Sequence, residues 1–207
     1  MLSFSKKKWR LAEVSKDKSL ALAKELDIPV TIAVLMINRG VTTTEEAKHF
    51  LHADLALLHD PFLMAGMGEA VKRIIRAIDD EESITVFCDY DVDGVTSAAF
   101  LTHFFRDLNC TVTAYLPERH IEGYGLNSDA VRKIREQGTT LMITADCGIT
   151  GVKEVALANE LGLDVIVTDH HQVGEEGLPT AVAVLNPHRE ECDYPFRFLS
   201  GVGLALN

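Results

Sequence analysis

Three short segments carry side chains whose types and spacing could do chemistry. They are Asp89-Tyr90-Asp91-Val92-Asp93-Gly94, Asp146 followed by Cys147-Gly148, and Asp169-His170-His171. Carboxylates gathered in one place repel, and one of them must take up a proton unless cations neutralise the group. Oxygen ligands with one or two imidazoles, and no thiolate, suit Mn²⁺ or Mg²⁺ rather than zinc. Two such ions, about 3.5–4 Å apart, can activate a water and stabilise the leaving oxygen of a phosphodiester. Together the segments could therefore carry out metal-dependent phosphoester hydrolysis.

Whether they meet depends on the elements that hold them. Each follows a short apolar run that reads as a strand: residues 84–88, 141–145 and 164–168. Further strands are expected over 111–116 and 181–185, with helices from about Thr96 to Asp107, Ser128 to Gln137 and Val152 to Leu161. Strands alternating with helices predict an α/β fold, a three-layer sandwich around a largely parallel sheet. Apolar strands covered on both faces fit that arrangement. Ligand sites in open parallel sheets form at the carboxyl ends of the strands. Three separate segments should thus deliver Asp and His to one edge of one sheet.

The residues before the first strand read as helical. Ser19 to Leu26 and Thr31 to Asn38 are apolar-patterned, with Ile28-Pro29 between them. Thr43 with Glu46 three residues on has the form of a capping box and opens a short helix through Leu51. Ala70, Val71, Ile74, Ile75 and Ile78 follow helical spacing. The expected division is a helical segment over 1–80, packing on the core, and a catalytic domain over 81–207.

Rival readings of the acids fail on particular residues. The run from Asp89 to Gly94 matches the opening of a calcium loop, but its twelfth position is Phe100, where a bidentate acid is required. Asp91-Val92-Asp93-Gly94 also resembles the nucleophile motif of haloacid-dehalogenase-like phosphatases, whose later Lys and paired acids Asp169-His170-His171 does not supply. Aspartates commonly form turns and cap helices. That would explain one such turn, and explains three strand ends together poorly.

Bulk properties place few limits. Hydrophobic residues make up 47% and charged residues 25% of the 207, an ordinary globular composition. No apolar run approaches a membrane span, and the start MLSFSKKKWR lacks the apolar stretch of a secretory signal. Cys88, Cys110, Cys147 and Cys192 show no metal-binding or disulfide spacing, so a reducing, cytoplasmic setting is expected. The net charge of −11 is unusual for a protein of nucleic acids, which generally displays a basic face. Metal-binding carboxylates inflate it, and a basic surface in sequence beyond Asn207 would offset it. The chain is expected to be truncated at its C-terminus.

The three segments, in this order, resemble the DHH phosphoesterase superfamily. Pro117-Glu118-Arg119-His120-Ile121-Glu122-Gly123-Tyr124-Gly125, Asn186-Pro187-His188-Arg189 and Leu199-Ser200-Gly201-Val202-Gly203 make the chain similar, within it, to the RecJ family of single-strand-specific DNA exonucleases. The resemblance implies 5′-to-3′ hydrolysis of single-stranded DNA in recombination and repair. It implies Asp91, Asp93, Asp146 and His170 as metal ligands, with Asp146 bridging two Mn²⁺ or Mg²⁺ ions. His171 would contact the scissile phosphate or assist proton transfer, making it and Asp146 the catalytic pair. Asp89 and Asp169 would orient ligands. Some superfamily members place a ligand His where this chain has Phe87, so one ion should be held by fewer protein groups. A fourth-motif Asp, expected beyond the C-terminus, would complete the site.

Arg119 offers a planar fork suited to phosphate, Tyr124 a ring for base stacking and Gly125 a close backbone approach. Expected partners are single-stranded DNA, a single-strand-binding protein and a helicase, with no membrane. Two alternatives stay open: a DHH phosphodiesterase acting on short oligonucleotides or cyclic dinucleotides, and an inert DHH scaffold that binds single strands or replication proteins.

Overall fold

The computed structural model describes residues 8, 10, 12–52, 54–118, 122, 123 and 125–207. The chain forms two compact units, Met1–Leu58 and His59–Asn207. In the first, helices α1 (Lys16–Leu26), α2 (Val30–Asn38) and α3 (Thr44–Leu51) enclose a small core of Leu22, Ala23, Ala33, Met36 and Ala47. Thr43 caps α3 as its sequence predicts: its hydroxyl accepts from the Glu46 amide at 3.2 Å, and the Glu46 carboxylate accepts from the Thr43 amide at 3.1 Å.

The second unit opens with α4 (Met67–Asp79), which is grouped with the sheet rather than with the preceding helices. Then come β1 (Ile84–Cys88), α5 (Val92–Asp107), β2 (Val112–Tyr115), α6 (Ser128–Glu136), β3 (Leu141–Ala145), α7 (Val152–Glu160), β4 (Asp164–Thr168), β5 (Ala183–Leu185) and α8 (Gly201–Leu206). All five strands run parallel in the order β2-β1-β3-β4-β5. The α/β sandwich expected from the alternation is the observed fold.

Both faces of the sheet are covered, and period-two alternation sorts the strand residues between them. Ile84, Ile143, Ile166 and Leu185 pack with Met67, Ala70, Phe105 and Leu204 on one face. Phe87, Met142, Val165 and Val167 pack with Ala130, Ile134, Val155 and Ala158 on the other. Each fully buried aliphatic or aromatic side chain contributes roughly 1.5–3 kcal/mol through removal from water. A slip of one residue in any central strand would put the wrong set on each face, so the register is strongly determined.

That register positions the site. Cys88 pairs with Ala145, and Ala145 with Thr168, at the last rungs of the ladders. The residues that follow continue it: the amide of Asp89 donates to Ala145 O, that of Asp146 to Thr168 O, and that of Asp169 to Leu185 O. Three aspartates therefore emerge abreast from adjacent strands. The chain leaves β1 toward β2 on one side and returns through β3 on the other. This reversal opens a crevice between β1 and β3, where ligands bind in sheets of this order.

Candidate metal centre

Each strand exit is shaped by local geometry. Asp89 turns directly into the first turn of α5, and Gly94 lies against its backbone; a Cβ at Gly94 would overlap the Asp89 carbonyl and approach its Cα to 2.8 Å. Asp91 is the N-cap of α5, its Oδ1 accepting from the amides of Asp93 at 2.9 Å and Gly94 at 3.0 Å. Helix α5 accordingly begins at Val92, four residues before the start expected from sequence. The capping carboxylate converts what reads as an acidic turn into a helical one.

Asp146 leaves β3 with a φ of 63°, a left-handed conformation that few non-glycine residues adopt. Such strain persists where the surroundings enforce it and concentrates at functional sites. Gly148 continues the turn with a φ of 107°, and a Cβ there would stand 2.8 Å from Thr144 Oγ1. After β4, Asp169 is buried with both oxygens engaged. Its Oδ2 accepts from the Ile149 amide at 2.9 Å, and its Oδ1 accepts from the His171 amide at 3.0 Å and from His171 Nδ1 at 2.7 Å. The side-chain amide of Asn186 donates to the His171 carbonyl at 2.9 Å.

Two groups of potential ligand atoms result, Asp89 with Asp91 and Asp146, and Asp146 with His170 and His171, each set lying within 4.8 Å of one another. Asp146 belongs to both. Its side chain is buried, and burial together with the charges of Asp93 and Asp91 pushes its pKa up to about 7, against the opposing pull of His170 and His171. His171 is disfavoured as a cation by burial, but its hydrogen bond to Asp169 and the charges of Asp169, Asp146 and Asp89 outweigh this and raise its pKa.

The tautomers follow from the partners. His170 Nδ1 lies 2.8 Å from the Leu199 carbonyl oxygen, which can only accept, so Nδ1 carries the proton. In the neutral ring Nε2 then holds a lone pair, and it stands 3.0 Å from Asp146 Oδ1. That buried oxygen has no hydrogen bond among the described residues. A lone pair facing a carboxylate oxygen across 3.0 Å is relieved by a proton on either group or by a metal cation between or beside them. The donor set of oxygens and imidazole nitrogens fits Mn²⁺ or Mg²⁺. The His171 ring is oriented likewise, with Nδ1–H held by Asp169.

Some residues stand differently from the sequence expectation. Asp93 falls outside both groups: its Oδ2 accepts from the Gly201 amide at 2.6 Å and its Oδ1 from the Val202 amide at 2.8 Å, while Oδ2 stands 3.8 Å from His170 Nε2. Asp89, expected only to orient ligands, presents an oxygen to the first group, and its Oδ1 also accepts from the Tyr90 amide at 2.7 Å. Phe87 is fully buried against Tyr115 and contributes nothing to the site. Arg119 and Tyr124 lie outside the described residues. Gly125, with a φ of 79°, borders a cleft beside Cys147, Gly148, Ile149, Asp169 and His171. The contributions of Leu199, Gly201, Val202 and Asn186 were not anticipated; small residues in Ser200-Gly201-Val202-Gly203 were the signal that backbone approaches something closely there.

Known proteins share this sequence and fold. Residues 83–207 match the DHH family, N-terminal domain. The single-stranded-DNA-specific exonuclease RecJ of Bacillus subtilis is 46% identical over 202 residues, covering 98% of this chain and 26% of that protein. A crystal structure of exonuclease RecJ bound to manganese superimposes with a TM-score of 0.62 and 33% identity over 69% of this chain and 36% of that one. RecJ from Thermus thermophilus in complex with Mn²⁺ does so with a TM-score of 0.70 and 28% identity, over 94% and 26% respectively. The chain thus spans about a quarter to a third of the lengths of these relatives. With the motifs abreast on one sheet edge and the match running through all of them, the chain belongs to the DHH family.

Proposed function

We propose that the protein is a metal-dependent exonuclease that hydrolyses single-stranded DNA from the 5′ end, with residues 81–207 carrying its metal centre. One observation carries the reading: the buried, strained Asp146, with an oxygen lacking a hydrogen bond among the described residues, is shared by two groups of ligand atoms at the sheet's switch point. Its relatives are named single-stranded-DNA-specific exonucleases, and two related RecJ structures are bound to manganese. A bound pair of Mn²⁺ or Mg²⁺ ions would supply Lewis acidity toward the phosphodiester and a water ionised near neutral pH.

The chain's own residues set the conditions for that chemistry. Asp91, Asp93, Asp146 and His170 would hold the cations, with Asp89 offering a further oxygen beside Asp91 and Asp146. Asp169 keeps the His171 ring oriented and its Nδ1 protonated, so that Nε2 faces the scissile phosphate and can carry a proton. Arg119 and Tyr124 would receive the strand's phosphate and base, with Gly125 giving the backbone room to approach. An unpaired end must reach the metals, which would account for a preference for single strands. A single-strand-binding protein and a helicase are the proposed protein partners, and the cytoplasm the proposed location. No described helix is long and apolar enough to cross a membrane.

The test is digestion of 3′-labelled single-stranded DNA with Mn²⁺ by the native protein beside an Asp146→Ala control. Shortening from the 5′ end, absent in the control, is the expected result. A strand bound but left intact would overturn the exonuclease reading in favour of a binding scaffold. Cleavage confined to dinucleotides would replace the substrate with short oligonucleotides.

A further inference from the structure

Three groups at the metal centre come from three different strand exits, yet one short run of backbone touches all of them. The Leu199 carbonyl accepts the His170 Nδ1 proton at 2.8 Å. The amides of Gly201 and Val202 donate to the two oxygens of Asp93 at 2.6 and 2.8 Å. Between these contacts the Gly201 backbone lies against Asp146: a Cβ at Gly201 would stand 2.7 Å from both Cβ and Oδ1 of Asp146 and 2.8 Å from its Cγ. Gly201 is buried at the start of α8, and it is not among the glycines with positive φ. Its requirement is space, not backbone freedom.

We propose that Leu199–Val202 is the positioning element of the metal centre and that Gly201 is the positioning residue on which it depends. The inference rests on the metal-dependent reading above and extends it to residues that touch neither metal nor substrate. Asp146 cannot withdraw from an added methyl, because its left-handed backbone and burial leave it no slack. A methyl at position 201 therefore lifts the start of α8 off the site. The Leu199 carbonyl then leaves His170, whose ring can take its proton on either nitrogen. Asp93 loses two amide donors, and its charge bears more heavily on Asp146. Groups that orient ligands in this way are typically worth about 10–100-fold in metal affinity.

The experiment compares the native protein with Gly201→Ala and Val202→Pro, using two readouts. One is the ¹⁵N signature of the His170 ring in metal-free protein, which distinguishes a protonated nitrogen from one bearing a lone pair. The other is Mn²⁺ binding followed by electron paramagnetic resonance, with thermal unfolding recorded for each protein. The native ring is expected to be protonated on Nδ1. Gly201→Ala is expected to mix the two tautomers and weaken Mn²⁺ binding about 10–100-fold. Val202→Pro replaces one amide to Asp93 with a ring methylene that displaces its Oδ1, within the first helical turn where proline is tolerated. It should weaken binding and leave the His170 tautomer alone.

A folded Gly201→Ala protein with native tautomer and native affinity overturns the proposal. If that variant does not fold, Val202→Pro decides: weakened binding supports the positioning role, and unchanged affinity overturns it. Native protein that binds no Mn²⁺ would instead sink the metal-dependent reading, while the ring signature still decides whether this segment orients His170.

Discussion

Two clusters of charge sit at opposite ends of the same strands. At the N-terminal ends, Arg73 of α4 donates from Nε to Asp164 at 2.5 Å and from Nη2 to Glu82 at 2.6 Å, and the Thr140 hydroxyl donates to Glu82. Burial disfavours the guanidinium there, but the hydrogen bonds and charges of Glu82 and Asp164 outweigh it and raise its pKa. Burial likewise works against the Glu82 carboxylate, and Arg73 and Thr140 more than reverse it, holding its pKa below the usual range. At the C-terminal ends, Asp89, Asp91, Asp93, Asp146 and Asp169 gather around two imidazoles, and Asp146 is pushed up to about 7. One cluster carries its own cation. The other collects negative charge; among the described residues each has one buried polar atom without a hydrogen bond, Arg73 Nη1 in the first and Asp146 Oδ1 in the second. Buried charge that the chain pairs for itself stabilises architecture, whereas buried charge left in excess marks where something else binds.

Breaking the paired cluster should have the largest effect on stability. Arg73→Met leaves the part-exposed Asp164 without its cation and Glu82 with only Arg76 at 3.7 Å, and should cost at most about 3–5 kcal/mol in chemical denaturation. The Mn²⁺ affinity of the protein that remains folded should be unchanged. A parallel loss of metal binding would show that the two ends are not independent.

The unpaired cluster predicts the opposite response to neutralisation. Asp146 titrates near 7 in the folded protein against 3.8 for an ordinary aspartate, so between those values the folded state holds a proton that the unfolded chain has released. Metal-free stability should therefore fall as pH rises from about 4 to 7, by at most roughly 4 kcal/mol at about 1.4 kcal/mol per unit. His171 extends the fall upward, because the stability given by its raised pKa is fully present below 6.5 and is lost as pH rises through its folded value. Asp146→Asn should flatten most of this slope and raise metal-free stability at pH 7. It should also weaken Mn²⁺ binding more than ~100-fold, beyond the effect of groups that only orient ligands. Thermal unfolding in a chelator across that pH range, followed by Mn²⁺ titration, checks both. A variant less stable than the parent at pH 7 would contradict the charge argument.

Two smaller changes sharpen the contrast. Asp169→Asn removes the carboxylate that holds the His171 ring and should lower strand cleavage by about 10–100-fold, and because its amide would face buried donors it should also cost roughly 1–3 kcal/mol of stability. Thr140→Val removes one hydroxyl donor to Glu82 and should cost roughly 1–2 kcal/mol of stability. Its cleavage rate should match that of the parent, and a slower rate would blur the division between the two ends.

Much of this was legible in the residues. Apolar runs of strand length ending in Asp89, Asp146 and Asp169 are local signals, and so is the Thr43–Glu46 cap, because each depends on neighbours a few positions away. The start of α5 was misplaced because Asp-x-Asp-Gly reads as a turn until the Asp91 carboxylate is seen accepting two amides. The surroundings of Asp93 were hidden for a different reason: its partners lie 108 and 109 residues further along the chain.

The sequence by itself determined which groups could do chemistry, their order, and that parallel strands would present them at one sheet edge. Only the tertiary structure decided that β1 and β3 are neighbours with β2 outside, so that Asp89 and Asp146 face one crevice. It alone made Asp146 common to both ligand groups, turned Asp93 toward α8 and set the His170 tautomer through a backbone carbonyl. Strand order, a left-handed turn and the seating of a distant helix arise from packing between segments far apart in the chain, and no short window of residues contains that information.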